Sequence, residues 1–325
     1  LALHHYHLYG LRIASDFELP TDPVARFELD DSADYRVSAV RSLGDLLPSS
    51  RVVYRSAETG RDGEPELLIC RDEATGATRW HWCDGVTIHV DVGRIDVYCP
   101  PQEALSGVAH TVVGQVLAYL LRRRGHALLH GSALAGEQDA FAILGPSGAG
   151  KSTLATALSR RGYQLLTDDV VVLAAKDGLW HALTGYSGLR LWPDSTEALL
   201  GEASALPPML ERSAYWAGFN KRYLRLRPES GAMAAEPAPL RHIFVLQGRE
   251  AHGPVFERLT GPAAVAALDR NAYQLILRDA EYARRDLAVF AVLARQAVVW
   301  RVVPCIDLGK IDALATAVAE HAHEK

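Results

Sequence analysis

The sequence predicts an α/β protein: a β-rich N-terminal part over residues 1–100, then a core of alternating strands and helices over 101–325. Three observations lead there. Short runs of β-branched and aromatic residues, punctuated by Gly and Asp, fill the first hundred positions. Pro100-Pro101 then breaks that pattern and helical periodicity starts near Ala104. Finally, between one strand-like run and one helix-like run stands Gly145-Pro146-Ser147-Gly148-Ala149-Gly150-Lys151-Ser152, which fits G-x-x-x-x-G-K-[ST] at every fixed position.

In the first part the pattern predicts strands over 5–13, 35–40, 51–54, 66–70, 79–83, 87–92 and 94–99, with turn signals at Arg61-Asp62-Gly63 and Asp84-Gly85. No catalytic constellation falls here, so this part is read as an accessory unit, for substrate recognition or assembly. Val112, Val113, Val116, Leu117, Leu120 and Leu121 then trace one face of a helix that closes on Arg122-Arg123-Arg124 before Gly125. Cations in a last turn are favoured by the helix dipole, so the triplet marks a helix end.

From residue 126 the elements alternate. A strand over 126–135 turns at 136–139 into a strand over 140–144, which feeds the glycine-rich loop. The helix that follows runs over 152–161, with Gly162 at its C-terminal cap. A strand over 163–167 ends in Asp168-Asp169, and runs 170–175 and 179–183 form a hairpin across Lys176-Asp177-Gly178. Later come a strand over 240–247, helices over 262–270 and 280–297, a strand over 298–304 and a helix over 311–321. Residues 195–208 and 229–239, rich in Ala, Glu and Pro, read as surface loops that could cover a site.

Composition excludes several classes. A net charge of −5 with no basic block beyond the Arg122 triplet argues against nucleic acid as a partner. No apolar stretch reaches the ~20 residues that span a bilayer, and residues 1–8 lack the charged start and apolar centre of a signal peptide. Cys70, Cys83, Cys99 and Cys305 show no C-x-x-C spacing, which suits reduced thiols and a cytoplasmic location. His4, His5 and His7 alternate with Tyr6 and Leu8 as strand residues do, so they read as structural rather than metal-binding.

The loop carries the chemistry. Its glycines let backbone N–H groups turn inward around phosphate oxygens, and the helix behind adds the positive end of its dipole. The expected ligands are ATP and Mg²⁺. Gly145, Pro146, Ser147, Gly148, Ala149, Gly150, Lys151, Ser152 and Thr153 are the expected nucleotide-binding positions, with Lys151 on the β- and γ-phosphates and the Ser152 hydroxyl on the metal. If the preceding turn is centred between Glu137 and Gln138, Ala135 pairs with Ala140 and His130 falls opposite Gly145, beside the phosphates. Asp168-Asp169, two carboxylates at a strand's carboxyl end, are costly unless cation or solvent meets them. One could hold Mg²⁺ while the other accepts a hydroxyl proton. Arg190 and the cluster Lys221-Arg222-Tyr223-Leu224-Arg225 could stabilise a transferred phosphoryl group.

In order and spacing, Leu129-His130-Gly131, the loop, Arg161-Gly162-Tyr163 and Asp168-Asp169 resemble the catalytic domain of bacterial HPr kinase/phosphorylase, whose fold is related to phosphoenolpyruvate carboxykinase. The resemblance covers residues 126–190 best. It implies a P-loop kinase core of that type, transfer to a serine hydroxyl, and catalytic roles for His130, Asp168 and Asp169, with Asp168 taken as base and Asp169 on the metal. It permits oligomers. Two departures weigh against phosphorolysis and against HPr as substrate: Thr153 stands where the family has Glu, and Gly185-Tyr186-Ser187-Gly188-Leu189-Arg190-Leu191-Trp192-Pro193 replaces its Glu-x-Arg-Gly signature. That segment, behind a β-rich N-terminal part, is similar to HPr kinase-related proteins of peptide biosynthesis clusters, some of which phosphorylate the C-terminal serine of a lasso-peptide precursor. The implied partner is a peptide or protein bearing a serine hydroxyl. A nucleotide sensor without transfer and a small-molecule kinase are the alternatives. A motor or transporter ATPase fits less well, since no LSGGQ-like segment follows the loop.

Overall fold

The structure, a computed structural model, describes residues 3–24, 32–45, 49–60, 62–101, 103–201, 206–209, 220–226, 231–250, 252–273, 280–305 and 307–324. Arg61 of one expected turn lies outside them, as do residues 202–205 and 229–230 of the two expected loops. The chain divides into two compact units, one of Leu1–Val112 with Pro208–Asn220, the other of Val113–Pro207 with Lys221–Lys325.

In the first unit, β1 (His4–Leu8), β2 (Leu11–Ser15), β3 (Tyr35–Val40), β4 (Ser50–Arg55), β5 (Leu67–Asp72), β6 (Thr78–Trp82), β7 (Thr87–Asp91) and β8 (Arg94–Tyr98) form one sheet. Its order is β1-β2-β3-β8-β7-β6-β5-β4, and helix α1 (Leu105–Thr111) follows it in sequence. Ile69, Trp80, Ile88 and Ile95, each fully buried, anchor the central strands. The strand expected over 5–13 is instead a hairpin. Tyr9 and Gly10 take φ of 55° and 76°, a two-residue turn that pairs Leu8 with Leu11.

A π-helical turn over Val112–Val116 leads into α2 (Leu117–Arg123) of the second unit. Arg122 does sit in the last turn, but it points inward: its Nη1 lies 2.8 Å from Asp286, and both side chains are buried. Next come β9 (Ala127–Ala135), β10 (Ala140–Leu144), α3 (Lys151–Ser159), β11 (Gln164–Thr167), β12 (Val170–Lys176), β13 (Leu179–Ala182), β14 (Gly188–Leu191) and α4 (Pro193–Leu200). They are followed by β15 (Arg222–Arg225), β16 (Ala238–Leu246), β17 (Val255–Leu259), α5 (Gly261–Arg270), α6 (Ala280–Gln296), β18 (Val298–Val303) and α7 (Ile311–Ala322).

Strand β9 is the hub of the sheet. Its first half pairs with β12 and its second half with both β10 and β11, all antiparallel. Strands β10, β16 and β18 run parallel, with Leu144 beside Val245 and Leu246 beside Val302, so their carboxyl ends open together. Alternation along β10 sorts the two faces of the sheet. Ala142 and Leu144 pack with residues of α5 and α6, while Phe141 and Ile143 pack with α3 and α7. A nine-residue helix such as α3 is below the ~12–15 residues at which an isolated helix becomes even marginal. Leu154 and Leu158, fully buried on the sheet, contribute roughly 1.5–3 kcal/mol each and hold it there.

Two expectations need correction. The region 195–208 begins as helix: Pro193 opens α4 at its first turn and Gly201, at φ 83°, closes it. Within 229–239, Ala232 and Ala234 exchange backbone hydrogen bonds with Leu165 (2.7 and 2.9 Å), so this stretch is tied to β11 rather than lying loose. Strand β17 carried no period-2 signal and was not expected. Among the described residues, no helix is long and apolar enough to cross a membrane.

Candidate active site

Strand β10 delivers the loop to the carboxyl end of the parallel strands. Gly145 leaves the strand at φ 147°, where a Cβ would stand 2.8 Å from the Leu246 carbonyl oxygen, so backbone runs on backbone there. Gly148 and Gly150 also take left-handed φ, 79° and 99°. No side chain caps the start of α3, leaving its first turn directed at the loop.

Lys151 is buried and lies across the loop. Its ammonium donates to the carbonyls of Gly145 (2.9 Å) and Pro146 (3.1 Å) and to Nε2 of His130 (3.1 Å). Burial pulls its pKa down, with Asp168 and Asp169 opposing.

The hairpin register comes out as the turn count predicts. Ala135 pairs with Ala140 and Gly131 with Leu144, which brings His130 beside Gly145. Gly131 is required at that spot, because a Cβ there would run into the Ile143 carbonyl oxygen. The His130 Nδ1–H faces the Asp169 carbonyl at 3.1 Å, leaving Nε2 as acceptor for Lys151. Burial lowers the His130 pKa, outweighing the opposing pull of Asp169, so the ring is neutral at neutral pH.

The two aspartates face different partners. Asp168 is buried, and its carboxylate accepts from Ser132 Oγ at 2.6 Å and from the Arg190 backbone N–H at 3.1 Å. It also lies 3.0 and 3.1 Å from the Ser152 hydroxyl. Asp169 takes φ 75°, a left-handed conformation that Asp tolerates better than most residues. That kink turns its carboxylate away from Ser152. It lies 2.9 Å from Arg190 Nη1 and 3.5 Å from His130 Nδ1. Burial pushes the Asp169 carboxyl up, but Arg190, His130, Lys221 and Lys151 together outweigh it and hold it below the usual carboxylate range.

Arg190 arrives on β14, which pairs with β15 so that Arg190 stands opposite Tyr223. Its guanidinium lies over the Tyr186 ring at 5.2 Å and passes where Gly114 leaves room. Lys221 sits over Trp192 at 5.2 Å. Burial lowers its pKa against the pull of Asp169 and Asp168. Arg222 of the same cluster instead reaches the Leu206 carbonyl.

The donor set suits the expected ligands. Left-handed glycines and an uncapped helix start form an anion cradle, and a hydroxyl beside one carboxylate offers the hard oxygens Mg²⁺ takes alongside phosphate and water. Those oxygens belong to Ser152 and Asp168; the carboxylate expected on the metal, Asp169, faces the cations instead. Thr153, expected among the nucleotide-binding positions, instead donates its hydroxyl to Ser195 at 2.9 Å.

Sequence reasoning missed Ser132 and Ser195. Ser132 was reachable: it lies two residues from His130 on the same strand, hence on the same face. Ser195, contributed by a helix expected to be loop, had no such signal.

No protein-family model matches the chain, and no curated protein matches it. Among solved structures, the HPr(Ser) kinase/phosphatase from Coxiella burnetii is similar over 60% of this chain and 95% of that one. Sequence identity is 15% and the TM-score is 0.31, a distant likeness.

Proposed function

We propose that the chain is an ATP- and Mg²⁺-dependent kinase that transfers the γ-phosphate to a serine-type hydroxyl of a peptide or protein. The observation that carries this reading is the division between adjacent carboxylates: Asp168 on the Ser152 hydroxyl at 3.0 Å, Asp169 turned to Arg190 and His130. A loop that only sensed nucleotide would need the first carboxylate and not the second.

In this reading the aspartate roles are the reverse of those expected from the sequence. Asp168 and Ser152 would hold the metal, which would supply positive charge to the phosphates. Asp169, ionised beside three cations, orients the acceptor hydroxyl and takes its proton. Lys151 leaves the Gly145 and Pro146 carbonyls for the phosphates, and neutral His130 steers it without competing charge. Arg190 and Lys221 supply positive charge where the phosphoryl group passes. The segment 185–193, which supplies Arg190, also carries the similarity to peptide-cluster kinases. A C-terminal serine of a lasso-peptide precursor is therefore the acceptor to try first.

The test is intact-mass analysis of serine-containing peptides after incubation with the full chain, ATP and Mg²⁺. The expected result is a gain of one phosphate, ~80 Da, lost in Lys151→Ala. ATP binding with no gain on any peptide would overturn peptide transfer. ATP consumption with a small hydroxyl compound in its place would move the assignment to a small-molecule kinase.

A further inference from the structure

A cleft of about 390 Å³, counting its open mouth, adjoins the phosphate loop on a side that includes neither Lys151 nor Ser152. Ala149 and Gly150, the last two loop residues, and Thr153 in the first turn of α3 form its near wall. The far wall comes from Leu308, between β18 and α7, and from Ile311, the first residue of α7, and Leu246 at the end of β16 closes the inner end. The cleft therefore opens at the joint carboxyl ends of β10, β16 and β18, the side on which open α/β sheets take their ligands.

We infer that this cleft takes the base and ribose of the nucleotide whose phosphates the loop holds. The inference rests on the nucleotide-binding reading of the loop and adds where the rest of that molecule lies. Continuity is the first reason. Gly150 belongs both to the cradle and to the cleft wall, so a molecule bound on the loop amides leads into the cleft. Thr153, tied to Ser195 at 2.9 Å, contributes wall rather than a phosphate ligand.

Chemistry is the second reason. Leu308 and Ile311 offer apolar surface to the face of a flat ring, and a few polar groups at the rim would fix its orientation. Arg249 leans over the loop, donating to the Gly148 carbonyl at 3.0 Å, and Lys310 stands at the same rim; both suit the phosphate end of a nucleoside phosphate. Asp307 is exposed there, and its Oδ1 accepts the Gly309 N–H at 2.8 Å, which holds the carboxylate in place. An ionised carboxylate is an acceptor only, and ribose hydroxyls are the donors it would meet.

The test compares two probes on the full chain by equilibrium binding with Mg²⁺: ATP, and inorganic tripolyphosphate, which keeps the phosphates and lacks the nucleoside. The wild-type chain should bind ATP at least tenfold more tightly than tripolyphosphate. Leu308→Trp, which fills the cleft, should bring ATP affinity down to that of tripolyphosphate and leave the latter unchanged, which also shows that the variant is folded. Asp307→Ala, an exposed change, should reduce the preference several-fold. Equal affinity for the two probes in the wild type, or an undiminished ATP preference in both variants, overturns the cleft assignment and leaves the loop reading standing. Binding of neither probe overturns the loop reading, and the cleft with it.

Discussion

The Ser152 hydroxyl lies 3.0 and 3.1 Å from the two oxygens of Asp168, joining the first turn of α3 to the end of β11. The same carboxylate accepts from Ser132 at 2.6 Å, so it is fixed from two elements at once. Asp168→Asn keeps the shape and removes the charge. ATP affinity should then lose its Mg²⁺ dependence, read by titration with and without the metal. Asp168→Ala should also cost stability, about 1–3 kcal/mol, because Ser132 and the Arg190 N–H lose their acceptor. Retained Mg²⁺ dependence in the Asn variant would return the metal role to Asp169.

Asp169→Asn should behave differently. Mg²⁺-dependent ATP binding should persist while transfer falls by about 10²–10⁴, the usual contribution of a general base. Single-turnover kinetics separates the two steps, and equal loss of binding and transfer would count against the base role.

His130 should give the site an acid limit. Its folded-state pKa is depressed below the ordinary 6.5, mainly by burial. As pH falls through 6.5 the unfolded chain gains a proton that the folded chain resists, so stability declines with acid and is fully present above that value. His89 and His242 are shifted in the same direction, so the informative quantity is a difference. The melting temperature of the wild type should fall relative to His130→Gln between about pH 7 and 5. A His130 ring resonance that titrates at or above 6.5 would contradict the burial account.

Gly131→Ala tests the strand spacing that places His130. The added methyl meets the Ile143 carbonyl oxygen, a backbone atom that cannot swing aside. Overpacking of this kind costs roughly 1–3 kcal/mol. Urea denaturation should show a lower midpoint with an unchanged slope; an unchanged midpoint would mean that β9 and β10 sit further apart.

The parts of this protein that were legible in its sequence are those decided by neighbouring residues. Glycines at fixed spacing set left-handed turns, a lysine and a serine follow at a helix start, and the strands of the N-terminal sheet declare themselves by composition. Even the His130 register was available, because a short turn fixes the pairing of the strands on either side of it. The hairpin at Tyr9-Gly10 and helix α4 also rest on local residues, a turn glycine and a Pro-to-Gly frame, although the sequence pattern predicts neither.

The roles of the aspartate pair lay beyond that reach. They depend on the φ of 75° at Asp169, on Ser132 from β9 and on Arg190 from β14, and consecutive identical residues carry no mark of which way each will face. The inward turn of Arg122 needed Asp286 from a helix 164 positions away. The cleft likewise exists only because the ends of β10, β16 and β18 are brought side by side. The sequence by itself determined the glycine-rich loop, since its left-handed turns are set by eight consecutive residues. Tertiary structure alone decided what surrounds it, because those partners meet through burial and sheet pairing across long stretches of chain, which no local spacing encodes.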